Sequence, residues 1–443
     1  MMQRLIERFS DGLSRIGIRL GINARSLAKN SAYVTMGHAV AVLRGVVTGY
    51  IVARLFPRTL YGEYQWILAV IGTLSSLGIP EIYKASARAI ARGESGALLE
   101  VAWRQFLICI VGSAALLLMI PVLPYFHYEG MSHLLLAAAV LFPCSQVAGM
   151  LFSGITLGTG NFVLALKANI VSSTLLVIST LCILAYQPSP LLMLIATIGI
   201  PIIVNIAFAR AHLPKHASKK GAKAIVQYGL ELTLLNLPIT LSWKLDYFLI
   251  SANFGLNQLA VFSVALLIPE QLKVWVGELL SVTFQSQARG EDSRARRRKL
   301  LKFVGILTLL FGMGIVAYIA ITPYVFRLLF PNYLDAIFLS QIAAAILITV
   351  PSSLLMQYLE AQAMVSALRW IRWIAAGVYC SSLLLLVPHF GLIGALLSRG
   401  LLRLMYTLCT LYFLLQDNVK QAPPTCTENP MKITSLPSAQ PQP

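Results

Sequence analysis

QFLICIVGSAALLLMIPVLP, residues 105–124, and HLLLAAAVLFPCSQVAGMLFSGITL, residues 133–157, contain no Asp, Glu, Lys or Arg, and eight residues separate them. A helix rises about 1.5 Å per residue, so a run of about 20 crosses the ~30 Å hydrocarbon core of a bilayer. In lipid only helices and closed barrels satisfy their own backbone. Barrel strands alternate apolar and polar residues and are about half as long, so each run is read as a helix. The rest of the 443-residue chain follows the same pattern: 57% of it is hydrophobic and 12% is charged. A soluble domain carries about a quarter charged residues. With a mean hydropathy of +0.75, the chain is expected to be an all-α polytopic membrane protein.

Apolar runs between polar breaks give twelve candidate spans, at about 31–56, 64–83, 105–124, 133–157, 162–186, 190–209, 225–250, 258–284, 302–323, 334–359, 369–387 and 391–415. Net charge is +18, from 35 Lys+Arg against 17 Asp+Glu. Segments on the side of the N-terminus hold 26 of those bases, the opposite loops hold only Arg58 and Arg327, and seven lie inside spans. Cytoplasmic loops collect Lys and Arg, so both termini are placed in the cytoplasm and the basicity needs no nucleic acid to explain it. The outer loops, such as 125–132, 187–189 and 251–257, are too short for an extracytoplasmic catalytic domain.

Residues 1–30 lack the apolar core of a cleavable leader. On a helix, Arg4, Arg8, Arg15 and Arg19 share one face, with Leu5, Ile6, Phe9, Leu13, Ile16 and Leu20 opposite. That pattern reads as an interfacial helix on the anionic inner leaflet, either a plain anchor or a collector of an anionic lipid substrate. The tail from 416 to 443, with six prolines, is expected to be disordered. Five of the six cysteines lie within apolar runs and none has metal-ligand spacing; they read as small apolar fillers.

The two halves resemble each other at a shift of 198 residues. Leu55-Phe56-Pro57 and Gly62-Glu63-Tyr64 match Asn253-Phe254-Gly255 and Ala260-Val261-Phe262, and Tyr186-Gln187-Pro188 corresponds to Val387-Pro388-His389. Six spans per half make the repeats parallel, related by an axis along the membrane normal, with a substrate site between them. The expected organisation is a basic arm (1–30), an N-lobe (31–209), a basic linker (210–224), a C-lobe (225–415) and the tail. The two pseudo-symmetric six-helix lobes would surround a central cavity.

The run Ala53-Arg54-Leu55-Phe56-Pro57 through Tyr61-Gly62-Glu63-Tyr64 resembles the first outer turn of polysaccharide-biosynthesis flippases. These are the Wzx-type O-antigen and oligosaccharide transporters of the multidrug/oligosaccharidyl-lipid/polysaccharide (MOP) superfamily. Pro388-His389-Phe390-Gly391-Leu392-Ile393-Gly394-Ala395 is similar to that family's turn before the last helix, and Leu328-Leu329-Phe330 with Tyr333 to its loop before the tenth. The resemblance covers about residues 30–415. It implies a flippase in the bacterial cytoplasmic (inner) membrane, moving a polyprenyl-pyrophosphate-linked oligosaccharide of the O-antigen or lipopolysaccharide kind outward by alternating access. It also implies a polymerase and glycosyltransferases of the same pathway as partners.

Charges inside a span cost several kcal/mol unless they face a cavity or a partner. The bases are Arg44, Arg54, Lys167, Lys244, Lys273, Arg399 and Arg403, and the acids Glu231, Asp246, Glu270, Glu278 and Glu360; the first half has no acid deep in a span, Glu81 near the end of its second span being the nearest. Arg44 lies about 20 Å from the inner end of its span, and Arg399 and Arg403 about 12 and 18 Å from the outer end of theirs. These three, together with Lys167 and Lys273, are the candidates to bind a pyrophosphate, whose oxygens suit a planar guanidinium fork. The competing reading has the arginines bond to carbonyls or acids of other helices and join the lobes. Lys167 can also snorkel, and Lys273 can pair with Glu270. Asp246, Glu270 and Glu278 are the candidates to carry a coupling H⁺ or Na⁺; no other cofactor or metal is expected.

Pro80, Pro143, Pro201, Pro238, Pro269 and Pro351 are expected to interrupt spans, as hinges or as fixed kinks. No phosphate-binding glycine loop, metal set or nucleophile elbow occurs in the sequence, so a transporter is expected and not an enzyme. Two alternatives remain. One is an H⁺- or Na⁺-coupled multidrug exporter of the same superfamily, which would favour acids in the first half. The other is a membrane glycan polymerase or ligase, which would need a large outer loop.

Overall fold

The computed structural model describes residues 24–91, 97–126, 128–213, 221–242, 244–281, 294–362 and 364–415. The arm's charged face, residues 214–220 of the linker, the tail and the Glu278 side chain lie outside the described residues. All regular structure among those residues is helical. The α-helices are α1 (Ala24–Leu55), α2 (Arg58–Leu74), α3 (Ile82–Ala91), α4 (Leu98–Met119), α5 (Ser132–Thr159), α6 (Phe162–Tyr186) and α7 (Pro190–His212). The second half has α8 (Ala222–Ser242), α9 (Leu245–Ser281), α10 (Arg294–Leu329), α11 (Ala336–Ile346), α12 (Ser353–Ala361) and α13 (Val365–Leu415).

Nine helical stretches among the described residues are long and apolar enough to cross a membrane, or ten if 58–78 and 82–91, bent by 49°, form one broken span. Two stretches, Ala222–Val274 and Ser366–Leu415, run to 53 and 50 residues, more than twice the ~20 that one crossing needs. Each turns back at a glycine with positive φ: Gly255 (φ 78°, ψ 174°) and Gly391 (φ 59°, ψ −134°). The rings of Tyr247 and Phe262 lie 5.8 Å apart, whereas fifteen residues of straight helix would separate them by about 22 Å. A Cβ on Gly394 would sit 2.1 Å from the Leu386 carbonyl oxygen, so the chain has doubled back there too. Each long stretch therefore supplies two crossings, which makes twelve.

The reversals fall where the repeat places them. Gly255 occupies the position matched to Pro57, and Gly391 lies two residues beyond the quoted 387–389 segment. Within the first half α5 packs on α3, α4 and α7, and α1 packs on α6; within the second, α11 packs on α9, α10 and α13. The halves meet where α1 and α2 lie on α9, and the two matched turns touch. A Cβ on Gly62 would be 2.1 Å from the Leu256 carbonyl oxygen, so only glycine admits this approach. Around that contact, at what we call the turn end, Tyr61 stacks edge-on with Tyr333 and Tyr50 with Phe330. Arg58 ties the same corner to the loop before α11, through Asp335 at 2.9 Å and the Asn332 carbonyl at 2.9 Å. Because the obstacle at Gly62 is backbone, Gly62→Ala is expected to cost about 1–3 kcal/mol. It would lower the melting temperature in detergent, whereas Gly72→Ala, with open space around it, would leave it unchanged.

The prolines divide into two kinds. Pro80 and Pro351 stand at real breaks: the first follows a 3-10 turn (Ser75–Gly78) and Ile79 at φ 52°, the second lies in the 3-10 turn Leu347–Ser352. Pro143, Pro201, Pro238 and Pro269, also expected to interrupt spans, lie inside continuous α-helix. A helical proline leaves the carbonyl four residues back without its donor, and neighbouring helices can supply one. The Ser113 hydroxyl of α4 donates to the Ala139 carbonyl freed by Pro143 (2.7 Å). In the second half the Gln341 amide of α11 donates to the Ile319 carbonyl freed by Pro323 (3.1 Å). The seventh crossing, expected to run unbroken from 225 to 250, instead breaks between Ser242 and Leu245, and that break sets up the site below.

Candidate functional site: a charged column within the second half

Asp246 follows the break in the seventh crossing, in the first turn of α9, where a carboxylate is favoured by the helix dipole. Its side chain is fully buried. One carboxylate oxygen accepts the Tyr247 amide (3.0 Å) and the other accepts Nε of Arg399 from α13 (2.5 Å). The same guanidinium donates through Nη1 to Glu270 (2.8 Å), which lies on the returning arm of α9. Arg399 thus joins two acids from two crossings with one planar fork, flanked by the rings of Phe262 and Tyr247 at 5.4 and 5.9 Å. Glu270 also pairs with Lys273 one turn on and lies 3.8 Å from Arg403. The Tyr379 hydroxyl faces Asp246 and Arg399. With every group ionised, three bases against two acids leave the cluster with one excess positive charge.

Three adjoining cavities run along this column, and Lys273 lines all of them. The middle one, about 340 Å³, is lined by Glu270, Lys273, Arg399 and Arg403 with Tyr379 and Tyr406. Toward the turn end a 260 Å³ cavity reaches Lys244, Tyr247 and Ser263 and borders Tyr61 and Gln65 of the first half. Toward the opposite end, which carries the first residue of α1 and the last of α13, a 510 Å³ cavity is lined by Asn236, Thr349, Glu360, Arg372, Arg403 and Thr410, among others. The first two volumes bracket the lower bound of ordinary ligand cavities and the third lies well inside the range.

Of the eight candidate residues, Arg399, Arg403, Lys273, Asp246 and Glu270 come together here. Arg44 does not join them: it is half-buried on α1 within electrostatic reach of Tyr64, whose hydroxyl shares a hydrogen bond with Thr197 (2.8 Å). Lys167 is exposed near the start of α6, away from the cavities. Lys244 does not pair with its sequence neighbour Asp246. Its ammonium lies 4.0 Å from the centre of the Tyr247 ring, because Arg399 already holds the acid. Sequence reasoning missed Tyr379 and Tyr406, which look like any lining aromatic. Arg372, which pairs with Glu360 at 2.9 Å, was likewise not among the candidates; its position one turn inward of Arg369 was the available signal.

The fold is two six-helix halves, the second of which holds an intramembrane charged column, and comparison with known proteins places the chain in a family. Residues 27–273 match the family model described as polysaccharide biosynthesis protein, and the chain belongs to that family. No curated protein matches the chain. Among solved structures, the lipid II flippase MurJ in an inward closed conformation superposes with a TM-score of 0.67 at 14% identity, over 86% of this chain and 87% of that one. An inward-facing multidrug resistance MATE family transporter of the MOP superfamily gives 0.65 at 17% identity, over 84% and 93%. The Vibrio cholerae MATE transporter VcmN gives 0.59 at 16%, over 93% and 99%. At these identities the structures share a fold, and these neighbours are a flippase and transporters.

Proposed function

We propose that the protein is a flippase that carries a polyprenyl-pyrophosphate-linked oligosaccharide from the inner to the outer leaflet of a bacterial cytoplasmic membrane, with both termini in the cytoplasm. The observation that carries this reading is the net-positive column in the cavities of a chain from a polysaccharide-biosynthesis family. Arg399 is consumed by Asp246 and Glu270 and acts as a brace. The Arg403 guanidinium makes no hydrogen bond among the described residues and borders both larger cavities. Arg403 is therefore the first pyrophosphate contact, and guanidinium–phosphate bonds are the strong, charge-assisted kind; Lys273, which pairs with Glu270 and lines all three cavities, is the second. Asp246 and Glu270 serve as fixed counter-charges, since ion release from either would first have to break a pair. A drug exporter for cations would place an excess of acids where this cavity has an excess of bases.

The leaflet distribution of lipid-linked oligosaccharide in cells depleted of the protein tests the proposal. Accumulation of finished units on the cytoplasmic face is the expected result. A normal distribution with new sensitivity to cationic dyes would replace it with the exporter reading, and accumulation on the outer face would point to failed polymerisation or ligation.

In the state described, the tie from Arg58 to Asp335 closes the turn end. Both side chains are about half-exposed, and such pairs contribute about 0–1 kcal/mol, which is at most about a fivefold change in population. Arg58→Ala is expected to raise maleimide labelling of a Ser263→Cys reporter from the outer face by no more than that factor. Unchanged labelling would show that the aromatic contacts alone hold the gate.

A further inference from the structure

We infer that the 510 Å³ cavity beside the charged column is the binding site for the sugar directly attached to the pyrophosphate; this rests on the function proposed above. The cavity shares Lys273 and Arg403 with the middle one and is the largest of the three along the column, so it has room for the first sugar of a pyrophosphate held between them. Its wall suits a sugar ring. The Thr349 and Thr410 hydroxyls spend their protons on the carbonyls of Ile346 (3.0 Å) and Tyr406 (2.6 Å), and the Asn236 amide donates to Glu81 (3.0 Å). The oxygens of these three side chains remain able to accept, and sugar hydroxyls are donors.

The complementary donor is Arg372. One terminal nitrogen donates to Glu360, while the other, Nη1, is buried and without a hydrogen-bond partner among the described residues. A buried guanidinium nitrogen left in that condition is costly, and a sugar oxygen would relieve it. Tyr406, which lines both cavities, offers a ring on which the apolar face of a pyranose can lie. Beyond Arg403 and Lys273, which the pyrophosphate takes, the wall offers hydroxyl acceptors, the Arg372 guanidinium and an aromatic face, and together these match a hydroxylated ring. They do not match the prenyl chain, which needs no polar partner.

The test uses the full chain in lipid nanodiscs with two probes: undecaprenyl pyrophosphate, and the same lipid carrying a single N-acetylhexosamine. The readout is the ratio of the two affinities. In the parent the sugar-bearing probe is expected to bind about tenfold more tightly, in line with one or two charge-assisted hydrogen bonds. In Arg372→Gln, and in Thr349→Val/Thr410→Val, which preserves side-chain volume should Arg372→Gln fold poorly, the ratio is expected to fall to near one. A ratio that is near one in the parent, or that stays high in both variants, overturns the sugar site while leaving the pyrophosphate reading in place. Binding of neither probe overturns the proposed function, and the sugar site with it.

Discussion

Arg399→Leu is expected to destabilise the protein by about 3–5 kcal/mol, the usual cost of removing one partner from a buried ion pair. Asp246 is fully buried and would keep only neutral partners, the Tyr247 amide and the facing Tyr379 hydroxyl, while Glu270 would retain Lys273. The loss should appear as a lower melting temperature and poorer yield from the membrane. The double variant Asp246→Asn/Arg399→Leu should recover much of it, because the stranded carboxylate is then gone and the two sites are coupled. Arg399→Lys should fall between, since an ammonium cannot span both acids as the fork does. A single Arg399→Leu protein that melts with the parent would show that the brace carries no load.

Arg403→Gln should behave in the opposite way. Its nearest acid, Glu270, is 3.8 Å off, so little stability depends on it and the melting temperature should hold. Flipping at equal expression should fall about 10- to 100-fold, because a hydrogen bond to a charged group contributes about 1.5–3 kcal/mol and 1.4 kcal/mol is a factor of ten. Full transport by Arg403→Gln would remove this residue from the substrate site. A loss of folding instead would make it a second brace.

The reversals of the chain were legible in the sequence because a turn at a membrane surface needs polar residues, proline or glycine, and apolar helices cannot hide them. The broken crossings were legible only in part: six prolines were expected to interrupt spans, and only Pro80 and Pro351 stand at breaks. Pro80 and Pro143 look alike as letters, and a contact such as that of Ser113 on another helix with the freed Ala139 carbonyl cannot be read from either. The same limit governs the site. Intramembrane charges identify themselves by their cost, so Asp246, Glu270, Lys273, Arg399 and Arg403 could all be singled out, and the Lys273–Glu270 contact is local. The acids that hold Arg399 lie 153 and 129 residues away in sequence, and no spacing rule reaches that far. Depth alone put Arg44 in the same group; helix orientation, which depends on packing against α6 and α9, turned it toward Tyr64.

All five charges of the column belong to the second half, and the first half borders the cavities with the uncharged Tyr61 and Gln65. In the proposed cycle, with one half rocking against the other, the ion pairs among these charges would travel together and none would have to be broken in the low-dielectric interior, where separating charges is most expensive. The electrostatic work of that cycle would fall at the rim, on Arg58 and Asp335, where water screens it. The second half would be a charged carriage and the cavity-facing side of the first half a neutral rail, so the rate of reorientation should depend on salt at the rim and hardly at all at the centre.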